Sequence, residues 1–410
     1  MPPDVDTCAP IFNLSPSTFR HSRFRGNPAF LTAPSCAITH MSLPRVSRLY
    51  GTGRWRCTAV GIQWRVMRAL MLENPGTQPR LSVVDLPMPR PEPGEVLVWV
   101  AACGFCHHDR LVMSGVLRRG VRPDVVLGHE IAGVVEEVGN DVDQVRPGDR
   151  VVSLLTNACG HCDRCRMGRE HRCRNGEGIG HGRSGGFAEY VTVSQHSLVK
   201  LPDGLELTSA ALLACPAGVA LQAVSAIELV ESETVVVVGA GGGLGIHAVQ
   251  LAAALGARTL AVTSSPHKTR AIARYGAYEV IEAGELDFAE IVMALTADEG
   301  AEVVIDTVGT ATLRSSVRSL AQYGRLALLG EVGGEGSLRG VIPEIVFRDA
   351  RVMGVSGVSR NTLEQALGLA AERKLKPVLQ EVMPLEEAER ALDMVESRAV
   401  LGRVALTSSN

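Results

Sequence analysis

The sequence predicts an α/β protein in two parts, a β-rich unit and a doubly wound parallel sheet. Three observations carry that prediction. From about residue 233 onward, continuous apolar strand segments alternate with helical stretches, the pattern of a parallel sheet covered on both faces. A glycine-rich turn, "GAGGGLG" at 239–245, lies directly between an apolar strand and a helix. Residues 67–155 read as short strands broken by turns, with no long helical pattern, which suggests a barrel-like unit.

Composition agrees. A chain of 410 residues suits about two domains. It is 46% apolar, only 4% aromatic, and holds 43 glycines, as expected for Val, Ala and Leu packed between tight turns. The formal net charge of −3 argues against a dedicated nucleic-acid binder or a polybasic membrane protein. The most apolar stretch, Ala210 to Val230, holds Pro216, Gln222 and Glu228 and reads as a buried helix rather than a membrane span.

The elements follow in order. "GEVLVWVAACG", "IAGVVEEVG" and "GDRVVSLL" are strands, with "RPGD" as a turn between the last two. "ETVVVVGAGGGLGIHAVQLAAALGA" is strand, turn and helix. "RTLAV", "YEVIEA", "EVVIDTVG" and "GRLALLG" are further strands, with helices over 268–275 and 311–321 between them. "RVMGV" at 351–355 is the last strand of that sheet. "TLEQALGLAAERK" and "EEAERALDMVES" are helices, and the chain closes on the strand-like "GRVALT".

The turn points to a dinucleotide. Gly239, Gly242, Gly243 and Gly245 give a spacing one residue longer than the usual GxGxxG, with Gly241 and Leu244 between them. Glycines let the backbone approach a pyrophosphate, and the helix start offers free N–H groups. An acid at the end of the next strand would bind a ribose diol. Here Thr263, Ser264 and Ser265 stand there, with Lys268 following. Small hydroxyls and a cation suit a 2′-phosphate, so NADP(H) is expected over NAD(H).

Residues 1–66 differ from the rest. They hold eight arginines, no lysine and two acids. Two readings stand: a start placed too early, with Met67 opening the protein, or a real disordered extension that includes any transit peptide. The expected compartment is the cytoplasm, or the mitochondrion if that extension is a transit peptide.

Ten cysteines with CxxC spacing in a long chain suggest metal rather than disulfides. Cys159, Cys162, Cys165 and Cys173 lie in "CGHCDRCRMGREHRC". "CGFCHHD" at 103–109, "GHE" at 128–130 and "LACPAG" at 213–218 add further candidates. Taken in series with the glycine turn, these motifs and "GHEIAGVVEEVG" and "GDRVV" resemble the zinc-containing medium-chain dehydrogenase/reductase family over about residues 67–408.

The resemblance implies a GroES-like catalytic domain over 67–217, with a structural zinc lobe at 157–175. It implies a Rossmann coenzyme domain over 218–355 and a return to the catalytic domain over 356–410. It implies two zinc ions per chain. Cys106, His129 and Cys215 would bind the catalytic ion, with Glu130 beside it and Asp109 orienting a ligand. Cys159, Cys162, Cys165 and Cys173 would fill a closed tetrahedral site with no open position for chemistry. The arginines around them would then offset the charge of four thiolates.

One departure stands out. The family's alcohol dehydrogenases usually carry Ser or Thr two residues after the first zinc cysteine, and this chain has His108. Alcohol oxidation or carbonyl reduction is the expected activity. Enoyl-thioester reduction, as in acryloyl-CoA reductases of the same superfamily, is the alternative. A non-enzymatic zinc protein that binds nucleic acid is more remote, because the basic run is short and the lobe has no aromatics for base stacking. The resemblance also suggests a homodimer or homotetramer.

Overall fold

The computed structural model describes residues 65–408 except Thr77, 284–286 and 333–338. The expectation for the N-terminal extension falls, through residue 64, outside the described residues. The first strand, Val66–Glu73, begins one residue before Met67 and pairs with Arg80–Pro87.

The coenzyme-type sheet has six parallel strands, numbered here β1 (Thr234–Val238), β2 (Arg258–Thr263), β3 (Glu279–Glu282), β4 (Ala301–Asp306), β5 (Leu320–Leu328) and β6 (Arg351–Gly354). Their order is 3-2-1-4-5-6. The order reverses between β1 and β4, and a crevice opens at such a reversal, outside the carboxyl ends of the strands. Strand β1 explains its own sequence. Val235 and Val237 pack into one core cluster while Val236 and Val238 pack into another on the opposite face. Both faces are covered, so every residue must be apolar. Helix α1 (Gly243–Ala254) follows the glycine turn.

A second sheet runs Leu379–Pro384, Arg403–Thr407, Glu95–Phe105, Glu130–Val138, Arg150–Ser153 and Leu198–Lys200, with Tyr190–Ser194 also paired to Glu95–Phe105. Its third and fourth strands come from early in the chain and its second from the very end, so Cys103 to Phe105 lie beside Val404 to Leu406. The C-terminal strand also touches the coenzyme turn. The Gly402 amide donates to the Gly241 carbonyl at 3.1 Å.

The apolar stretch forms a helical run from Leu207 to Ala226 that is long and apolar enough to cross a membrane by composition alone. In the structure it is largely buried in the core shared with β1 and α1. Its middle, Ala214–Gly218, widens into a π-helical turn, a distortion common where a helix delivers a functional side chain.

The sequence reading differs at two places. The helix expected over 311–321 stops at Arg318, and β5 begins at Leu320. Helices Phe288–Leu295 and Val341–Phe347 were not anticipated. Asp306 explains how β4 ends. Its buried carboxylate accepts from the Val308 and Gly309 amides at 2.8 and 3.0 Å, from the Thr312 hydroxyl at 2.8 Å and from the Ser316 hydroxyl at 2.6 Å. Removing it leaves the Val308 and Gly309 amides and the Ser316 hydroxyl without this acceptor, while the Thr312 hydroxyl keeps the Gly309 carbonyl at 3.1 Å. Asp306→Ala is expected to lower unfolding free energy by about 3 kcal/mol in urea titration; a loss below about 1 kcal/mol would contradict this account of the turn.

Candidate active site and metal centres

Three separate elements bring one donor set together. Cys106 ends the Glu95–Phe105 strand and starts the helix His107–Met113 with extended backbone. Asp109 fixes that start, its Oδ2 accepting from the Cys106 amide at 2.8 Å. His129 immediately precedes the Glu130–Val138 strand. Cys215 lies in the widened turn of the long helix. One donor atom from each of Cys106, His129, Glu130 and Cys215 lies within 4.8 Å of all the others, and all four residues are buried. Gly104 makes room for this set, because a Cβ there would collide with the Glu130 carboxylate.

The chemistry of the set suits a cation. Cys215 donates to Cys106, which pulls the Cys106 thiol well below its ordinary range and pushes the Cys215 thiol well above it. Two buried sulfurs thus share a proton that a cation would replace. Burial lowers His129, but Asp109 and Cys106 overcome this and push it well up. Its Nδ1 faces Asp109 Oδ1 at 3.4 Å without hydrogen-bond geometry, and its Nε2 faces Glu130 at 3.9 Å. That orientation leaves Nε2 for the cluster and Nδ1 for a carboxylate, the arrangement that fixes a ligand imidazole. The donor set therefore fits zinc.

A residue that sequence reading missed organises the site. Arg403 donates from Nε to Glu130 Oε1 at 3.1 Å and from Nη2 to Cys106 Sγ at 3.4 Å, with Nη2 lying 3.0 Å from Glu130 Oε1. The same side chain presses on the coenzyme turn, where a Cβ on Gly243 would come within 2.5 Å of its guanidinium. Burial raises Glu130 to about 7 even beside this cation. Arg403 belongs to the closing "GRVALT" strand, remote in sequence from every candidate ligand motif, and only its place beside residues 103–105 brings it here.

The second donor set is the four-cysteine lobe. Its sulfurs lie within 4.8 Å of one another. Cys162 stands 3.5 Å from Cys165 and 3.9 Å from Cys173, and Cys173 stands 3.5 Å from Cys159. A tetrahedron of thiolates about 2.3 Å from zinc has edges of about 3.8 Å, so this set fits as well. The lobe's arginines point mostly elsewhere. Arg174 pairs with Asp163 at 2.5 Å, Arg164 donates to the Arg172 carbonyl at 2.8 Å, and Arg172 reaches the Ser356 hydroxyl at 2.6 Å.

The coenzyme turn takes the expected form. Gly239 has φ +77°, open to glycine at low cost. A Cβ on Gly245 would lie 2.7 Å from the Ala240 Cα, so glycine there lets the helix close on the strand. Gly241, Gly242, Gly243 and Leu244 line the same cavity. Thr263 Oγ1 accepts from the Ser265 amide at 3.1 Å. Lys268 packs over Gly241 and donates to the Val400 carbonyl at 2.6 Å. Arg398, also missed, donates to the Ser264 hydroxyl at 3.1 Å. His247 is buried and bonded to the Gly243 carbonyl and the Val378 amide, a structural role.

One cavity of about 820 Å³ contains Cys106, His129, Cys215, the glycine turn and residues 263–265. His108 enters it as well. Its ring stands edge-on to His129 at 5.0 Å, and its Nε2 lies 3.3 Å from His181 Nδ1. His181 was not singled out from sequence. Burial and His108 hold it down at about 4, neutral at ordinary pH.

Comparison with known proteins decides the family. Residues 92–203 match the family described as alcohol dehydrogenase GroES-like domain, and residues 243–372 match zinc-binding dehydrogenase. An acryloyl-coenzyme A reductase of Metallosphaera sedula is 35% identical over 342 residues, 83% of this chain and 100% of that protein. This chain is a zinc-containing medium-chain dehydrogenase/reductase. An NAD-dependent alcohol dehydrogenase of Sulfurisphaera tokodaii is 34% identical to the dehydrogenase described here, over 83% of it and 99% of the relative. A zinc-binding dehydrogenase from Sinorhizobium meliloti, solved bound to NADP, superposes with a TM-score of 0.72 at 30% identity, covering 83% and 99% of the two chains. The dehydrogenase is thus an α/β oxidoreductase of the alcohol dehydrogenase type, with a GroES-like part and a Rossmann-like sheet.

Arg403 yields the prediction for this site. Arg403→Met leaves Glu130 buried without its cation and should cost about 3–5 kcal/mol in urea titration. Adding Glu130→Gln should recover most of that loss. Equal stability of the single and double variants would remove the pair from its organising role.

Proposed function

We propose that the dehydrogenase interconverts an alcohol and its aldehyde or ketone, with NADP(H) as the hydride partner. The observation that carries this reading is the buried Cys106, His129, Cys215 and Glu130 set, of which Cys106, His129 and Cys215 line the same cavity as the glycine turn. In this reading Cys106, His129 and Cys215 hold the catalytic zinc, with Glu130 in reach as an exchangeable donor. Cys159, Cys162, Cys165 and Cys173 hold a structural zinc, giving two ions per chain. When bound, zinc supplies Lewis acidity toward the substrate oxygen, and the nicotinamide supplies or accepts hydride.

The chain's own residues do the rest. Asp109 holds the orientation of His129 and the start of the helix that carries His108. Arg403 neutralises Glu130 and keeps its carboxylate beside the sulfurs. His108 stands where related enzymes place a hydroxyl and passes a proton toward His181; their 3.3 Å separation supports the path. The glycine turn brings backbone and helix start against the pyrophosphate.

Thr263, Ser264, Ser265 and Lys268 take the 2′-phosphate, and Arg398 joins them through Ser264. No acid stands at the end of β2, and this supports NADP(H) over NAD(H). The NADP-bound relative supports it too.

A second reading, reduction of a C=C bond conjugated to a thioester carbonyl, rests on the acryloyl-coenzyme A reductase relative. The same reading of the chain places the catalytic part at 67–217 and 356–410, the coenzyme part at 218–355, and the protein in the cytoplasm, where its thiols stay reduced. It also pairs two or four copies. Ile342, Val346 and Phe347 lie exposed on the helix that precedes edge strand β6, a face suited to a second copy.

The deciding experiment measures NADPH oxidation with a panel of aldehydes and ketones beside acryloyl-CoA and crotonyl-CoA. Turnover of carbonyl substrates is expected; turnover confined to the CoA esters would replace the first reading with the second. Coenzyme choice has its own pH signature. Burial and Arg398 pull free Lys268 down to about 8. A bound 2′-phosphate raises it again, so protonation accompanies NADPH binding above that value. The NADPH-over-NADH affinity ratio should therefore fall as pH rises from 7 to 9. In Lys268→Met it should be lower and flat. A flat ratio in the unaltered enzyme would exclude Lys268 from phosphate recognition.

A further inference from the structure

The basic lobe has an unexplained feature. If four thiolates only needed charge compensation, the guanidiniums would turn toward sulfur, yet Arg164 and Arg172 are bonded to backbone and to Ser356. Both line the 820 Å³ cavity, whereas Arg166 and Arg169 of the same lobe do not. The cavity is markedly cationic. Among the described residues its wall includes Arg164, Arg172, Lys268, Arg398 and Arg403, against one carboxylate, Glu331, which accepts from the Thr310 hydroxyl at 2.5 Å. Arg403 is matched by Glu130, and Lys268 and Arg398 stand at the β2 end. Among the described residues, Arg164 and Arg172 have no acidic partner in hydrogen-bond or ion-pair contact.

A chain of packing contacts ties this pair to the donor set. His108 packs on His129 and bonds His181. His181 packs against Gly178, where a Cβ would collide with its ring. Gly178 pairs with Thr156, and Thr156 packs on Gly176, which in turn lies against Cys173, next to Arg172. The path runs from the buried donor set out to an exposed rim of two guanidiniums. Arg172 is also held in place: its Nη2 bonds both the carbonyl and the hydroxyl of Ser356, at 3.0 and 2.6 Å. Its Nη1 lies 3.4 Å from the His171 carbonyl.

We infer that Arg164 and Arg172 form an oxyanion-binding rim, and that the substrate carries a phosphate-type anion on an arm reaching from the reacting carbon to the lobe. This rests on the proposed hydride transfer at Cys106, His129 and Cys215 and names the class of molecule that site would take. A buried reacting end and an exposed anionic end favour a phosphate-bearing acyl or aldehyde carrier over a short carboxylate, whose charge would stay near the buried cluster. Guanidinium is the apt group, since its planar fork matches an oxyanion.

The test uses the zinc-loaded enzyme saturated with NADP⁺, so that the 2′-phosphate site is filled. Desulfo-CoA is titrated by calorimetry into the unaltered enzyme, into Arg164→Gln/Arg172→Gln and into Arg166→Gln/Arg169→Gln. The first double variant should bind about tenfold or more weakly, the loss expected for a charge-assisted contact. The second should bind like the unaltered enzyme. In parallel, KM is compared for acryloyl-CoA and its neutral N-acetylcysteamine thioester, and for succinic semialdehyde and butanal. A KM rise confined to the CoA ester in Arg164→Gln/Arg172→Gln supports the rim as stated. A rise confined to succinic semialdehyde shifts the ligand to a short carboxylate and overturns the arm. Equal weakening by both double variants, or none, overturns the rim. Absence of turnover with every substrate refutes the proposed function, while the calorimetry still decides the rim. Zinc content, measured on each variant, separates loss of the rim from loss of the lobe.

Discussion

The structure depends on one buried guanidinium. Arg403 joins the Glu130 carboxylate, the Cys106 sulfur and the backbone of the coenzyme turn. A charge moved from water to the interior costs several kcal/mol unless it is matched, so this arginine tolerates few arrangements of its neighbours. Glu130 has to lie beside it, which requires the missing side chain of Gly104. Gly243 has to be glycine for the same reason on the other side. The donor set, the strand pairing and the coenzyme loop therefore share one constraint, and none of the three can shift alone.

The legible part of the sequence was the part with a short repeat distance. Strand β1 announced itself because both faces are buried, so periodicity was absent and four Val residues stood in a row from Val235 to Val238. The glycine turn was legible because its requirements are local: a positive φ at Gly239 and a close approach at Gly245. The four-cysteine lobe was legible for the same reason. Cys106, His129 and Cys215 were reached only through resemblance, since they meet by folding rather than by spacing. Arg403, Arg398 and His181 were not reached at all. Each sits on a segment whose local pattern is that of an ordinary strand, turn or loop; Arg403 and Arg398 acquire roles only when the last described strand lies beside residues 103–105 and 241, and His181 only where its loop meets His108. The helix over 311–321 was overrun because Leu320 continues the helical pattern of apolar spacing, while the demand for a partner to β4 converts it to strand.

The four-cysteine lobe shows how a part of the fold outside the buried donor set can still shape the cavity. A closed site holds its loop rigid, and a rigid loop is a good platform for side chains that must keep their direction. The lobe supplies part of the cavity wall through Arg172, Cys173 and Gly176. Its fold and the shape of the cavity are therefore one property, although no cysteine of the lobe lies in the Cys106, His129, Glu130 and Cys215 set.

The pairing of Gly402 with Gly241, and of Arg403–Thr407 with the strand that ends at Cys106, has a consequence for how the protein is made. Arg403–Thr407 follows every other described strand in chain order, so a ribosome releases it after all of them. Until then the early sheet lacks a central neighbour, Glu130 has no cation, and the coenzyme loop is unpinned. The buried Cys106, His129, Glu130 and Cys215 set is thus completed by the last described strand to emerge. A chain that stopped before Arg403 would carry nearly every motif named above and still lack the piece that assembles them.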